Sequence, residues 1–187
     1  MKIKDVIVSP GVTGFYFDDQ KAIKSGSVRV DGCALRGRPL TPGFDAVRQR
    51  GESISIMLVL EDGQICFGDC AAVQYSGAGG RDPLFLASQF IPLIEAEVVP
   101  RLVGFDLTGF RSIADHLDGL RMSDGERFHT AVRYGVTQAL LDAAAKVRKI
   151  TMAEVVAEEY GTEIILEPVP VFAQSGDDRY INADKAI

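Results

Sequence analysis

Gly68-Asp69-Cys70-Ala71-Ala72-Val73-Gln74-Tyr75-Ser76-Gly77-Ala78-Gly79-Gly80-Arg81-Asp82-Pro83-Leu84-Phe85 is the stretch at which the chain passes from a strand pattern to a helical one. Upstream, Ser53-Ile54-Ser55-Ile56 alternates and Met57-Leu58-Val59-Leu60 is continuously apolar. That pattern predicts a strand over 52–61 buried on both faces. Asp62-Gly63 is a type I′ hairpin dipeptide, so 64–69 returns as an antiparallel partner. Downstream, Leu84, Phe85, Leu86, Ala87, Phe90, Ile91, Ile94 and Val98 form a broad apolar stripe at helical spacing. Asp82 reads as the N-cap of this helix and Pro83 as its first residue. Pro92 should bend or split it, and Pro100 marks its end. Between the two patterns lie Gln74, Tyr75 and Ser76, followed by Gly77, Gly79 and Gly80. Such a segment is either a tight sheet-to-helix connection or a donor-rich loop that receives an anion at the positive end of a helix.

Towards the N-terminus, residues 2–9 read as a first strand closed by Pro10-Gly11. Asp18-Asp19 offers two carboxylates, either as metal ligands or as the cap of a short helix over 20–24. Residues 26–51 are broken by Gly32, Gly37, Pro39, Pro42 and Gly43. They read as a long excursion with a short helical turn at 44–49.

Towards the C-terminus, a second helix is predicted over 108–116 and a loop over 119–125. The third helix, 129–149, places Val132, Val136, Ala139, Leu140, Ala143, Ala144 and Val147 on one face, with small residues that permit close helix packing. A fourth helix opens on the capping box Thr151-Met152-Ala153-Glu154 and ends near Tyr160-Gly161. His116 and His129 are the only histidines. Each is a candidate general base, although a surface position for His116 and a helix-opening position for His129 account for both. Residues 168–173 read as a short strand, 174–180 as a polar loop and 181–187 as the start of a helix. That succession is how a βα unit of a (β/α)8 barrel begins, and Gln174 would stand where such barrels place ligand-binding groups.

The chain has 187 residues, 47% hydrophobic and 25% charged, with 20 Lys and Arg against 26 Asp and Glu. The net charge of −6 argues against a general binder of nucleic acid or anionic membrane. Cys33, Cys66 and Cys70 are odd in number and show no CxxC spacing, which disfavours a disulfide framework or zinc site and suits a reducing, cytoplasmic setting. Neither a signal peptide nor an apolar run of membrane-spanning length is visible.

Residues 14–20, 68–85 and 172–180, together with His129-Thr130-Ala131-Val132-Arg133-Tyr134-Gly135, resemble methylaspartate ammonia-lyase, a family of the enolase superfamily. The resemblance covers most of the chain and is weakest over 27–38. It implies an α+β N-terminal capping domain over 1–161, an antiparallel meander followed by helices. Residues 162–187 would then begin a truncated (β/α)8 barrel. It further implies elimination of ammonia from threo-3-methylaspartate to give mesaconate, a step of glutamate degradation. Gln74 and Gln174 would bind the amino and α-carboxylate end of the substrate, with Phe172 on the same strand face as Gln174. The family's base lysine and the carboxylates for Mg2+ would lie downstream of residue 187, so no catalytic or metal residue is expected here. A monovalent cation and a homodimer are also implied. The alternatives are a cap-fold binding or dimerisation module, and another enolase-superfamily lyase or racemase.

Overall fold

A computed structural model of the chain describes residues 1–72, 82–107 and 109–171. The strands are β1 (Ile3–Asp18), β2 (Arg29–Asp31), β3 (Ala34–Arg36), β4 (Arg48–Leu60) and β5 (Ile65–Ala71). The helices are α1 (Gln20–Lys24), α2 (Ala87–Leu93), α3 (Val99–Leu102), α4 (Phe110–Gly119), α5 (Thr130–Arg148) and α6 (Met152–Tyr160). The sheet is an antiparallel meander in the order β1-β4-β5, and β2 and β3 form a separate ribbon. The result is a mixed α+β unit with the helices packed on the sheet through one continuous core.

Burial along β4 follows the pleat. Ile54, Ile56, Leu58 and Leu60 are fully buried, while Met57 and Val59 are only half-buried. The expectation of burial on both faces is therefore corrected. Helices cover one face of this antiparallel sheet, as such sheets allow. The other face carries Ile7 and Phe67 in register with Met57, and both are exposed.

Three local readings also change. β1 does not stop at Pro10-Gly11 but continues opposite β4 to Asp18, with an irregularity between Val12 and Tyr16. It is an edge strand, where a residue without an amide is tolerated. No helix forms over 44–49. β4 begins at Arg48, whose guanidinium donates to Asp18 across the strand pair at 2.7 and 2.8 Å. The Asp62-Gly63 turn is not type I′. Leu60 N–H donates to the Gln64 carbonyl at 2.9 Å and Gly63 N–H to the Leu60 carbonyl at 3.0 Å. Gly63 has φ +86°, and Asp62 is not among the residues with positive φ. This is a three-residue loop in which only the glycine is left-handed.

The helix after the glycine-rich stretch starts at Ala87, later than expected, and Glu52 of β4 accepts the Ala87 N–H at 2.6 Å. Pro92 does not end it. The helix runs through a π turn over Ile94–Val98, in which Val99 N–H reaches back to the Ile94 carbonyl, and closes with α3. Such a turn absorbs a break in the α ladder next to proline. α4 ends at Gly119 rather than 116. α5 and α6 fall where the pattern puts them, with the capping box intact at Thr151 and Glu154. Residues 169–171, read as strand, carry no strand pairing, and Val169 and Val171 are exposed. A strand needs a neighbour to satisfy its backbone, and none of the described residues supplies one.

The small face of α5 packs against β5 rather than against another helix. A Cβ on Gly135 would stand 2.5 Å from Cys70 Sγ and 2.6 Å from the Cys70 amide nitrogen. A Cβ on Gly68 would run into the Gly135 carbonyl and the Ala139 amide of α5. Backbone here lies almost on backbone. Gly135→Ala should therefore cost about 2–4 kcal/mol, because a rigid main chain blocks the added methyl. Gly119→Ala meets nothing within 4 Å and should be neutral or stabilising by up to ~1 kcal/mol. Urea unfolding of the two variants measures the contrast.

Candidate functional site

The two acids that invited a metal are already used. Asp19 is fully buried and caps α1, accepting from Lys21 N–H at 3.1 Å and Ala22 N–H at 3.2 Å. It also accepts from the Leu40 amide at 2.5 Å, and from the Thr41 amide at 2.9 Å and hydroxyl at 2.6 Å. Burial alone would raise its pKa, but the bonds from Thr41, Leu40 and Ala22 outweigh that and hold it at about 2. Asp18 is engaged by Arg48. Among the described residues no group of His, Cys, Asp or Glu is placed to hold a metal ion. Magnesium therefore has no fitting site among them.

Gln74, Phe172 and Gln174 lie outside the described residues. What the structure defines is the pair of stems from which the Gln74 segment departs and returns. The entering stem is the end of β5. Its inward residues Cys66, Gly68 and Cys70 are buried against α5, and its outward side is tied to the same helix. Gln138 accepts the Asp69 N–H at 3.0 Å and Asp142 the Phe67 N–H at 2.9 Å, while Lys146 donates to the Ile65 carbonyl at 2.7 Å. The free edge of the sheet is thereby closed by side chains.

The returning stem meets the first turn of α5. Asp82 is a cap, as its residue type suggests, but of another helix. Its carboxylate accepts the Thr130 N–H at 2.8 Å. Burial would raise its pKa, and the Thr130 bonds with the nearby His129 and Arg133 lower it. His129 is the N-cap residue of α5 and is buried. Its Nδ1 accepts the Ala131 N–H at 3.0 Å, and Nε2 lies 3.1 Å from the Pro83 carbonyl. An accepting Nδ1 places the proton on Nε2, which donates to Pro83. The ring packs against Phe85 and Phe90 at 5.0 and 5.1 Å. Burial, aided by Arg133, lowers its pKa from 6.5, against the opposing pull of the Pro83 bond and Asp82. Both ring nitrogens are occupied, so His129 is a fastening and not a general base. His116 is exposed on α4.

Sequence reasoning missed the Asp82–Thr130 and His129–Pro83 bonds. Neither bond leaves a local signal: Asp82 is a capping type that does not say which helix it caps, and histidine is not among the preferred N-cap residues. A groove of about 620 Å³ also opens between α5, α6 and the chain after α6, lined by Phe110, Tyr134, Leu141, Met152, Val156 and Ile164 among others. Its wall is mostly apolar and holds a single carboxylate, Glu163. It has no group set for acid–base work.

The described architecture is thus an α+β unit that presents one glycine-rich segment from stems fixed to a single helix. Comparison with known proteins places it. A family model described as Methylaspartate ammonia-lyase N-terminus matches residues 1–161. Methylaspartate ammonia-lyase 1 of Carboxydothermus hydrogenoformans is 63% identical over all of this chain, which spans 44% of that protein. The Clostridium tetanomorphum enzyme is 61% identical over the whole chain, which spans 45% of it. The crystal structure of β-methylaspartase from that organism, a Mg complex, superposes with TM-score 0.93 at 61% identity over 99% of this chain and 44% of its own. The Citrobacter amalonaticus enzyme containing (2S,3S)-3-methylaspartic acid superposes with TM-score 0.93 at 53% identity, over 99% and 44% of the two chains. The chain belongs to the methylaspartate ammonia-lyase family. It corresponds to the N-terminal part and spans less than half the length of these relatives.

His129 supplies a pH test of the fastening. A histidine whose folded pKa is lowered favours folding while neutral. Its contribution is whole above the unfolded value and is lost as pH falls through the folded one. The urea midpoint should fall as the pH drops below about 6.5, the ordinary histidine value, and His129→Asn, which keeps a cap but cannot titrate, should remove that part of the slope.

Proposed function

We propose that this chain is the substrate-holding N-terminal part of a lyase that removes ammonia from threo-3-methylaspartate to give mesaconate. The observation that carries this is the likeness over 99% of the chain to the Citrobacter amalonaticus enzyme containing (2S,3S)-3-methylaspartic acid. Residues 1–161 act as the cap, and 162–187 begin the barrel. Gln74 reaches from the cap, and Gln174 from the end of the first barrel strand. Both hold the amino and α-carboxylate end of the substrate. An amide suits that end, because it offers a donor and an acceptor without a further full charge. Phe172 packs beside the substrate two residues before Gln174, on the same strand face.

The Mg complex of the Clostridium tetanomorphum enzyme supports a magnesium requirement. Bound magnesium offsets negative charge gathering on a carboxylate when the adjacent C–H is deprotonated. The described residues offer it no ligand set. By the family resemblance, the base lysine and the magnesium carboxylates belong to the portion of the relatives' length that this chain does not span. A monovalent cation, a homodimer and a cytoplasmic setting complete the reading. They are supported by the family resemblance, with the free, buried Cys66 and Cys70 thiols agreeing with a reducing environment.

The purified 187-residue protein should form no mesaconate from threo-3-methylaspartate, followed by the absorbance of the product. The same chain completed to the length of its relatives should turn over. Gln74→Ala and Gln174→Ala in that completed enzyme should each raise KM by about tenfold or more, as expected when one hydrogen-bonding group to a charged end is removed. Turnover by the 187-residue protein alone would overturn the division of labour.

A further inference from the structure

The segment His129-Thr130-Ala131-Val132-Arg133-Tyr134-Gly135 stands out in the sequence, yet its histidine has both ring nitrogens engaged. Each of its ends grips one stem of the glycine-rich segment. At one end, His129 Nε2–H holds the Pro83 carbonyl at 3.1 Å and the Thr130 N–H holds Asp82 at 2.8 Å. At the other, Gly135 admits the β5 backbone so closely that a Cβ would stand 2.6 Å from the Cys70 amide nitrogen. The grip is itself braced. Arg133 donates to the Phe128 carbonyl at 3.2 Å and the Thr130 hydroxyl at 3.2 Å, and pairs with Asp118. Between Ala72 and Asp82 the chain runs through Gln74, so both points from which Gln74 is carried are referred to less than two turns of one helix.

We propose that His129 is a positioning residue for substrate binding, which, together with Asp82 and Gly135, fixes where Gln74 meets the amino and α-carboxylate end of the substrate. This rests on the reading of Gln74 given above. A loop that binds through one amide depends on the geometry of its two anchors, and a misplacement of an ångström is costly. His129 fits the task because one ring serves both needs. Nδ1 caps α5, and Nε2 ties that cap to the returning stem. Asparagine can do the first but is too short to do both.

The test is a kinetic double-mutant cycle in the completed enzyme, with His129→Asn, Asp82→Ala, Gln74→Ala and the combination of the first and third. His129→Asn should raise KM for threo-3-methylaspartate about tenfold with kcat lowered far less; the thermal midpoint should also fall, because the Pro83 bond and the ring packing on Phe85 and Phe90 are lost although the cap survives. Asp82→Ala loosens the same stem from its other side and should act in the same direction, which keeps the test open if one variant folds poorly. In the Gln74→Ala background, His129→Asn should leave KM as it is, because the two act through one contact. A lowered midpoint with unchanged KM, or an equal rise in KM with and without Gln74, would overturn the inference. A raised KM for Gln74→Ala with none for His129→Asn or Asp82→Ala would overturn this inference alone. An unchanged KM for Gln74→Ala would overturn the reading of Gln74, and this one with it.

Discussion

The structure depends on the seating of α5 on β5. A helix approaches a sheet this closely only where neither surface projects side chains, and Gly135, Ala139 and Gly68 meet that condition together. Once the two are in contact, their repeats nearly coincide. Four helical residues advance about 6 Å, and two strand residues advance about 6.7 Å. Gln138, Asp142 and Lys146 therefore reach Asp69, Phe67 and Ile65 in succession. The same contact buries Cys66 and Cys70, pushing their thiols up to about 11 and about 12 through loss of solvent, so they are inert packing groups. An open strand edge is a site for unwanted pairing, and here a helix closes it.

A second regularity is the use of acids at helix starts. Asp19 caps α1, and Glu52 takes the first amide of α2. Glu159 accepts the Phe110 and Arg111 amides of α4 at 3.0 and 2.6 Å, Asp82 takes that of Thr130 at α5, and Glu154 completes the box of α6. Each carboxylate meets unpaired N–H groups and the positive end of a helix dipole. Glu52, Asp82 and Glu159 come from other elements, so their bonds fix the packing of the fold as well as the helix ends. A net charge of −6 is partly explained by this duty. It also accounts for Asp18 and Asp19, which looked like a cation site in sequence and are consumed by Arg48 and by the start of α1.

The reading of periodicity succeeded where a pattern was long and local. The meander around 52–69, the helix at 129–149 and the Thr151 capping box follow from spacing and cap chemistry alone. It failed where a partner distant in sequence decides. Pro10-Gly11 looks like a stop, but pairing with β4 carries the strand past it. Met57 to Leu60 looks buried on both sides, yet whether a second layer exists is not written in the strand. Asp82 announces a cap without naming its helix.

Residue types and spacings in this sequence determine its longer elements, because helix and strand periods and cap motifs are local properties, and its resemblance to methylaspartate ammonia-lyase is what implies the candidates Gln74, Phe172 and Gln174. Tertiary structure decided which elements meet. It assigned Asp82 and His129 to the start of α5, and set Gly68 against Gly135. Those facts rest on contacts between residues about 46 to 67 positions apart, where loop closure erases any local signal and only packing and satisfied backbone groups select the partner.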